Sequence, residues 1–320
     1  MSLGQGLRAR LAALARRVAG LRDGVTPAAR LQAERDRLAA ELERYRTWVP
    51  PGHFYSPVPS LADVRRDEAR IFGPPPAELP AIELNAAGQL ALLERFREFY
   101  AELPFGRARR PGHRYAFDNP NFSYADAIAL YCMIRHARPR RIVEIGSGYS
   151  SCAILDTNER FFGHAIECAF IEPYPELLRS LLLPGDEGRV EIAAARLQDV
   201  DLARFAALEA GDILFVDSTH VSRIDSDVNR VFFEILPRLA AGVLVHLHDV
   251  FYPFEYPREW IYEGRAWNEN YVLRAFLQYN RAWEIRFFNN YLARRYPDAF
   301  FGALPLAREN PGGSIWLARL

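Results

Sequence analysis

The sequence contains no lysine, because all 40 of its basic residues are arginine. This excludes every mechanism that needs a lysine amine, such as a Schiff base or the lysine of a phosphate-binding P-loop. The 40 acidic residues bring the formal net charge to zero, so no overall field draws the chain to nucleic acid or to an anionic membrane. We therefore expect no nucleic-acid partner.

Cysteine and long apolar runs are also scarce. The three cysteines, Cys132, Cys152 and Cys168, cannot all pair and lack the spacing of a metal site, which favours a reducing compartment. No apolar run approaches the roughly 20 residues that a membrane-spanning helix needs, and no signal peptide is recognisable. With 50% apolar and 25% charged residues, the chain is expected to be a soluble, globular, cytoplasmic protein.

Residues 1–48 have the pattern of a helical arm. Apolar residues recur at alternating spacings of four and three: Leu7, Leu11, Leu14, Val18 and Leu21. This spacing is typical of a helix that packs on a partner. Gly24 ends that helix, and Thr26-Pro27 begins a second one, which has a looser apolar stripe. A homo-oligomer joined through the arm and a helix pair folded on its own domain are both open interpretations.

Residues 49–114 are predicted to form a proline-rich connector and a helical cap. Prolines cluster at 50–59 and at 74–76, and the connector should be ordered because its aromatic side chains need burial. One helix is predicted at 87–103 and another, in the next domain, at 123–137.

From residue 141 onward, short apolar strands alternate with helical stretches. The predicted strands are 141–146, 169–172, 190–193, 213–217, 243–246, 284–288 and 314–317. The helical stretches lie near 150–160, 175–182, 201–209 and 224–239. This alternation predicts an α/β fold over residues 115–320, with a doubly wound, mostly parallel, Rossmann-like sheet of seven strands.

Ligands of such sheets bind at the carboxyl ends of the strands. The first strand leads into Gly146-Ser147-Gly148, and Ser151 stands where a dinucleotide site usually has a third glycine. Glu144, two residues before the first glycine, would repel a pyrophosphate but can accept hydrogen bonds from an ammonium group. The turn therefore favours a cationic ligand.

Two further strand ends extend this pattern. Glu172 can accept hydrogen bonds from both hydroxyls of a ribose, and Gln198-Asp199 can read the edge of an adenine. S-adenosylmethionine has all of these groups, whereas NAD fits the set poorly. A purely structural interpretation, in which the glycines shape a turn and the acids cap helices, accounts for each residue separately but not for their combination.

The motifs at 143–148, 170–173 and 212–217 resemble those of class I S-adenosylmethionine-dependent methyltransferases. The segment 217–220 (Asp-Ser-Thr-His) and the pair His248-Asp249 are similar to one branch, which includes macrolide sugar O-methyltransferases and cephalosporin-hydroxylase-like proteins. The resemblance covers about residues 115–320. It implies that Asp217 and Asp249 hold a metal ion and that His220 is the catalytic base.

The chemistry of these residues agrees with that assignment. Asp217 and Asp249 follow neighbouring strands, about 4.8 Å apart, and their carboxylates repel each other unless a cation lies between them. Mg²⁺ or another divalent ion would satisfy both and lower the pKa of a sugar hydroxyl, whose proton His220 could accept. His248 is a third candidate ligand, where the resembling enzymes have an acid. Alternatively, Asp217 only contacts the cofactor and no metal binds.

Three other segments are candidates for lining the site. The aromatic and proline-rich stretch 251–260 suits a wall for a sugar acceptor, or else a hydrophobic cover for the last helix. Residues 118–121 are a candidate cofactor lid, and 267–270 a polar cluster at the same mouth. His246 is interpreted as a core histidine rather than a ligand.

These observations predict an S-adenosylmethionine-dependent methyltransferase that methylates a hydroxyl of a sugar or glycosylated metabolite, with or without a metal. Three alternatives remain open at this point. They are an NAD-dependent oxidoreductase, a non-catalytic scaffold that uses the same fold, and a metal-dependent hydroxylase-like relative.

Overall fold

The computed structural model describes residues 26–43, 45 and 47–320. The predicted first helix, with its Leu7 to Leu21 pattern, lies outside the described residues. By contacts, the chain divides into two compact units, Met1–Leu61 and Ala62–Leu320. The stretch from 62 to 114, which the sequence assigns to the connector and cap, thus belongs to the same unit as the sheet.

In the first unit, helix α1 (Pro27–Glu43) begins where Thr26-Pro27 predicts. The Thr26 hydroxyl accepts a hydrogen bond from Ala29 N at 3.2 Å, as an N-cap residue does. No residue of α1 is buried, and its apolar stripe is exposed: Leu31, Leu38 and Leu42.

The sequence predicts that the aromatic residues after α1 are buried, but the structure exposes them. Trp48, Phe54 and Tyr55 are all exposed. The turn is held by a hydrogen bond from Gly52 N to Val58 O, and the Trp48 and Tyr55 rings stack with centroids 5.2 Å apart. The rings therefore cover one another rather than entering a core.

The second unit contains a seven-stranded sheet, as predicted. Its strands are β1 (Arg141–Ile145), β2 (Glu167–Ile171), β3 (Glu191–Ala193), β4 (Ile213–Val216), β5 (Leu244–His248), β6 (Trp283–Phe288) and β7 (Ser314–Arg319). Their order is β3-β2-β1-β4-β5-β7-β6. The strands β1 to β5 are parallel, and β7 runs antiparallel between β5 and β6. The order reverses between β1 and β4, which is the position of ligand sites in such sheets.

Short and long helices surround the sheet. They are α2 (Leu61–Arg66), α3 (Glu68–Ile71), α4 (Ala86–Tyr100), α5 (Tyr124–Ala137), α6 (Tyr149–Phe162), α7 (Glu176–Leu181), α8 (Ala203–Ala206), α9 (Asp227–Arg230), α10 (Arg258–Tyr262), α11 (Glu269–Leu277), α12 (Asn289–Arg295) and α13 (Pro297–Ala303). The helix predicted at 224–239 is shorter: α9 continues as a π turn and a 3₁₀ turn that contains Pro237, which cannot donate a helical hydrogen bond. None of the described helices is long and apolar enough to cross a membrane.

His246 lies in the core, as the sequence predicts. It is fully buried and stacks on Phe215 with centroids 3.9 Å apart and planes 9° apart. Burial holds its pKa well below the usual value, so the ring is neutral and packs as an aromatic residue.

A buried arginine, Arg114, joins the segment that precedes α5 to α6. Arg114 has a side chain only 2% exposed, and its guanidinium contacts Asp156 at 2.9 Å, Glu159 at 2.7 Å and Asp186 at 2.5 Å. The Asp156 carboxylate also accepts hydrogen bonds from the backbone N of Arg114 and Tyr115. Losing one partner of such a buried set leaves the others charged without compensation.

We expect Arg114→Met to lower the free energy of unfolding by about 3 to 5 kcal/mol, because it leaves buried carboxylates without a positively charged partner. Arg95→Met is the matched control, since the Arg95–Glu98 pair is exposed and should contribute about 1 kcal/mol or less. Urea denaturation of the three proteins measures the difference. Equal stability of both variants would contradict the role of the network.

Acid should reduce the difference in the free energy of unfolding between the wild type and Arg114→Met. Burial acts to raise the pKa of Asp186, but hydrogen bonds from Arg114 and from Leu183 N outweigh it and lower the pKa. The stability that Asp186 contributes is therefore complete above the usual aspartate pKa of about 4 and is lost as the pH falls through its lowered value.

Candidate functional site

The site is built around a close approach between the ends of β1 and β4. Gly146 has φ +78°, and a Cβ on it would lie 1.7 Å from the carbonyl oxygen of Asp217. Only glycine fits at this position, because any side chain would collide with that backbone. Gly146 N also donates to Ile171 O at the end of β2, so three strand ends meet here.

Two neighbouring cavities of about 130 Å³ and 720 Å³ open over these strand ends. Both are lined by Gly146, Glu172 and Asp217. The smaller one adds Ser147 and Gly148, and the larger one extends along 171–174, 196–198 and 217–219 to 223–227. We call the two cavities together the cleft.

Glu172 and Gln198 line the cleft as predicted for cofactor-binding residues. The Glu172 carboxylate accepts hydrogen bonds from Ser147 N at 3.2 Å and from Tyr174 N at 2.8 Å, which fixes its direction beside the glycine turn. The Gln198 amide donates to Asp225 O at 2.7 Å across the larger cavity. Both side chains are thus held in place by the loops around them.

Asp199, which the sequence also predicts to read an adenine, does not line the cleft. Its carboxylate forms an exposed ion pair with Arg196 at 2.9 Å instead, at the last residue of the turn Leu197–Asp199. Arg196, Leu197 and Gln198 line the larger cavity instead.

Glu144 and Ser151 lie behind the glycine turn rather than on the surface of the cleft. The Ser151 hydroxyl donates to Glu144 Oε2 and accepts from Gly148 N at 3.0 Å. Glu144 is fully buried, which raises its pKa to about 8. Its Oε1 has no partner among the described residues. Glu144 therefore supports the turn and keeps one oxygen available.

The predicted lid at 118–121 is a tight turn organised by Asn119. Its amide donates to Ala116 O at 2.8 Å and to Phe122 O at 2.7 Å, and its oxygen accepts from Phe122 N at 2.8 Å. The turn places Asn121 and Phe122 in the lining of the smaller cavity.

Asp217 continues from the cleft into a buried cluster of acids and imidazoles. His220 Nε2 lies 3.3 Å from Asp217 Oδ1 and 3.5 Å from Asp249 Oδ2, and its Nδ1 lies 2.8 Å from Glu269 Oε2. His248 Nε2 lies 3.6 Å from Asp249 Oδ1. These five residues are the His220 cluster, and the structure brings all four predicted catalytic and metal residues into it.

The charges in this cluster control one another. Burial alone would lower the pKa of His220, but hydrogen bonds with Asp217 and Glu269 raise it well above its usual value. Burial also opposes the charge on His248, yet the nearby carboxylates of Asp217 and Asp249 raise its pKa. Burial acts to raise the pKa of Asp217, but the imidazoles of His248 and His220 outweigh it and lower that pKa. The buried carboxylates are thus balanced by imidazolium charge.

The cluster also fits a divalent cation. One donor atom from each of Asp217, His248 and Asp249 lies within 4.8 Å of the others. Two carboxylates and an imidazole are common ligands of Mg²⁺, Mn²⁺ and Zn²⁺. His248 also carries a buried nitrogen, Nδ1, with no partner in the described part of the chain.

Aromatic rings cover the cluster on one side. The Trp267 ring lies 4.4 Å from that of His220, and Trp260 packs edge-on against Trp267 at 5.3 Å and against Phe251 at 5.1 Å. The guanidinium of Arg265 lies 4.3 Å above the Trp260 ring. The stretch 251–260 therefore reaches His220 only through Trp267, which lies outside it.

Sequence reasoning missed the role of Glu269. The polar cluster at 267–270 is visible in the sequence, but Glu269 contacts a histidine 49 positions away. No local pattern encodes such a pair, so only the tertiary structure identifies it.

The sequence of this chain is similar to those of known proteins. A family model described as a methyltransferase domain matches residues 143–250, the segment from β1 to the end of β5. An uncharacterised protein of Archaeoglobus fulgidus is 42% identical over 167 residues, which are 50% of this chain and 73% of that protein.

Solved methyltransferases are similar at low identity. One from Podospora anserina, with S-adenosylhomocysteine bound, is 16% identical, with a TM-score of 0.43 over 86% of this chain and 99% of its own. A putative caffeoyl-CoA O-methyltransferase from Staphylococcus aureus is also 16% identical, with a TM-score of 0.42 over 71% and 91%.

The alternative of an NAD-dependent oxidoreductase is set aside, because the family model that matches β1 to β5 is that of methyltransferases. The seven strands of this sheet lie where the sequence predicts strands. Residues 143–250 thus form a methyltransferase domain, as the resemblance of this chain to class I S-adenosylmethionine-dependent methyltransferases implies.

Proposed function

We propose that this methyltransferase methylates a hydroxyl group of a sugar or glycosylated metabolite in a bacterial cytoplasm, with a divalent cation assisting. The observation that carries the proposal is the position of His220 Nε2, 3.3 Å and 3.5 Å from two carboxylates and adjacent to the cleft. The buried free thiols of Cys132, Cys152 and Cys168 suit the reducing compartment.

In this proposal the cleft holds S-adenosylmethionine, which supplies a methyl group on a positively charged sulfur. Glu172 accepts hydrogen bonds from the ribose hydroxyls, and Gln198 contacts the adenine. The backbone of the Gly146–Gly148 turn lies against the ligand, and Glu144, buried behind that turn, supports it through Ser151.

The His220 cluster would prepare the acceptor. A hydroxyl is a poor nucleophile until a base takes its proton, and His220 Nε2 is the imidazole nitrogen that faces away from Glu269. A cation bound to Asp217 would neutralise one of the two carboxylates that raise the pKa of His220, so the ring could become neutral and accept that proton. Asp217, His248 and Asp249 would hold the cation, which would lower the pKa of a coordinated hydroxyl. A hydroxyl, whose own pKa is far above neutral, benefits from both groups, so the cluster favours transfer to oxygen.

The aromatic wall supports a sugar as the acceptor. Trp267 packs against His220, and Trp260 and Phe251 extend this aromatic surface away from it. Sugar rings stack on such faces through their C–H groups while their hydroxyls remain free for hydrogen bonds. The wall therefore positions a ring whose hydroxyl points to the base.

We also propose that residues 1–48 join copies of this chain. The exposed leucines of α1 and the absence of any buried residue in that helix support a partner surface. A second copy of the chain offers the same stripe, which is the usual basis of a symmetric dimer.

Calorimetry with S-adenosylhomocysteine tests the cleft. Glu172→Ala should weaken binding about tenfold or more, equivalent to about 1.4 kcal/mol, because it removes the ribose acceptor. Asp199→Ala should leave the affinity within about twofold, because its carboxylate does not line the cleft and forms only an exposed ion pair with Arg196. Equal losses in the two variants would show that the cleft has been assigned to the wrong side of the turn Leu197–Asp199.

Manganese binding tests the metal proposal. Electron paramagnetic resonance should show free Mn²⁺ disappearing as wild-type protein is added, and Asp249→Asn should weaken that binding roughly tenfold or more. Asp298→Asn, which changes an acid in the first turn of α13, should bind as the wild type does. With methyl glycosides as candidate acceptors, EDTA should stop turnover and Mg²⁺ restore it. Turnover that ignores EDTA would leave His220 as the only base.

Deleting residues 1–46 tests the oligomer. Light scattering should give a smaller mass for the shortened protein, while its affinity for S-adenosylhomocysteine stays unchanged because the cleft lies in Ala62–Leu320. An unchanged mass would rule out the arm as the joining element.

A further inference from the structure

The geometry points to a positioning residue for His220. We propose that Glu269, together with the two residues before it, fixes the tautomer and the orientation of the His220 ring. The inference rests on the proposed role of His220 as the proton acceptor. We call residues 267–269 the positioning segment.

The first contact is at Nδ1. Glu269 Oε2 lies 2.8 Å from His220 Nδ1, and the two side chains are only 3% and 5% exposed. A carboxylate can only accept, so Nδ1 carries the proton and donates it. That leaves Nε2 as the nitrogen turned to Asp217 and Asp249, and a neutral ring can accept a proton only there.

The second contact is with the backbone. His220 O accepts hydrogen bonds from Asn268 N at 3.1 Å and from Glu269 N at 3.2 Å. The Asn268 amide then brackets Ser222, accepting from its N at 2.6 Å and donating to its O at 3.1 Å. His220 has φ +59°, a left-handed conformation that a residue with a Cβ adopts only when its surroundings hold it.

The third contact is with the face of the ring. The Trp267 ring lies 4.4 Å from the His220 ring, with planes 38° apart. The imidazole is thus confined on one face and at Nδ1. Glu269 is the first residue of α11, and Asn270 N donates to the Tyr256 hydroxyl at 3.2 Å, so the segment itself is anchored.

A purely structural role accounts poorly for Glu269. Its second oxygen, Oε1, is buried without a partner in the described part of the chain. Buried carboxylates that serve stability have both oxygens satisfied, since an unpaired one costs free energy. The single contact of the Glu269 carboxylate with His220 Nδ1 is therefore better explained by a role in orienting the His220 ring.

The consequence for the reaction is a defined proton path. The acceptor oxygen gives its proton to Nε2 and uses the freed electron pair to bond the methyl carbon, while the carbon–sulfur pair leaves with sulfur. Glu269 remains the acceptor of the Nδ1 proton and stabilises the imidazolium that forms. It touches neither substrate, so it positions the base rather than acting as one.

Nuclear magnetic resonance of the full chain, labelled with ¹⁵N-histidine and free of cofactor and acceptor, tests this directly. The protein has seven histidines, and His220→Ala assigns the ring in question. The wild type should show a slowly exchanging Nδ1 proton on His220. In Glu269→Gln that proton should shift to higher field and exchange about tenfold faster or more, because its acceptor has lost its charge.

Glu263→Gln is the matched control, since Glu263 pairs with Arg265 at the surface and should leave the His220 signals unchanged. The proposal is overturned if wild-type His220 carries no Nδ1 proton, a result that needs no variant to fold. It is equally overturned if Glu269→Gln gives the wild-type signal.

Turnover separates this inference from the proposed function. Glu269→Gln should lower kcat by roughly tenfold or more while the affinity for S-adenosylhomocysteine stays unchanged, because Glu269 does not line the cleft. Failure of every sugar acceptor would count against the proposed substrate, whereas the histidine spectra would still decide the role of Glu269.

Discussion

The contact between Gly146 and the carbonyl of Asp217 is the constraint on which the rest of the site depends. It joins the turn after β1, which would hold the nucleoside, to the end of β4, which presents Asp217 to the His220 cluster. Because β1 and β4 are neighbours at the reversal of strand order, one backbone junction sets the distance between the glycine turn and the His220 cluster. A side chain larger than hydrogen at Gly146 would change both sites at once.

Charge balance is the second theme of the site. Asp217, Asp249 and Glu269 are brought together in a low-dielectric region where carboxylates repel one another strongly. His220 and His248 compensate them, and a divalent cation could take over part of that task. Glu144 lies close behind with a pKa raised to about 8, so the turn above it does not add a full negative charge at neutral pH. The site is therefore polar without being strongly anionic.

Local patterns in the sequence were enough for most of the fold. Apolar runs identify all seven strands, and the glycine turn with Glu172 identifies the cleft. The exposed stacking of Trp48 on Tyr55 was not predictable, because aromatic composition alone suggests burial. Asp199 does not line the cleft, and no local pattern shows that its carboxylate pairs with Arg196 instead. Glu269 is invisible to any local pattern, since its pairing with His220 depends on how α11 docks after β5.

The packing of Trp267 against His220 has an optical consequence. Indole emission is quenched by a nearby charged imidazole, and the two rings lie 4.4 Å apart. The chain has five tryptophans, and in the described residues Trp267 is the one whose ring packs against that histidine. A change in the protonation state of His220 should therefore change the intrinsic fluorescence of the protein, without a label.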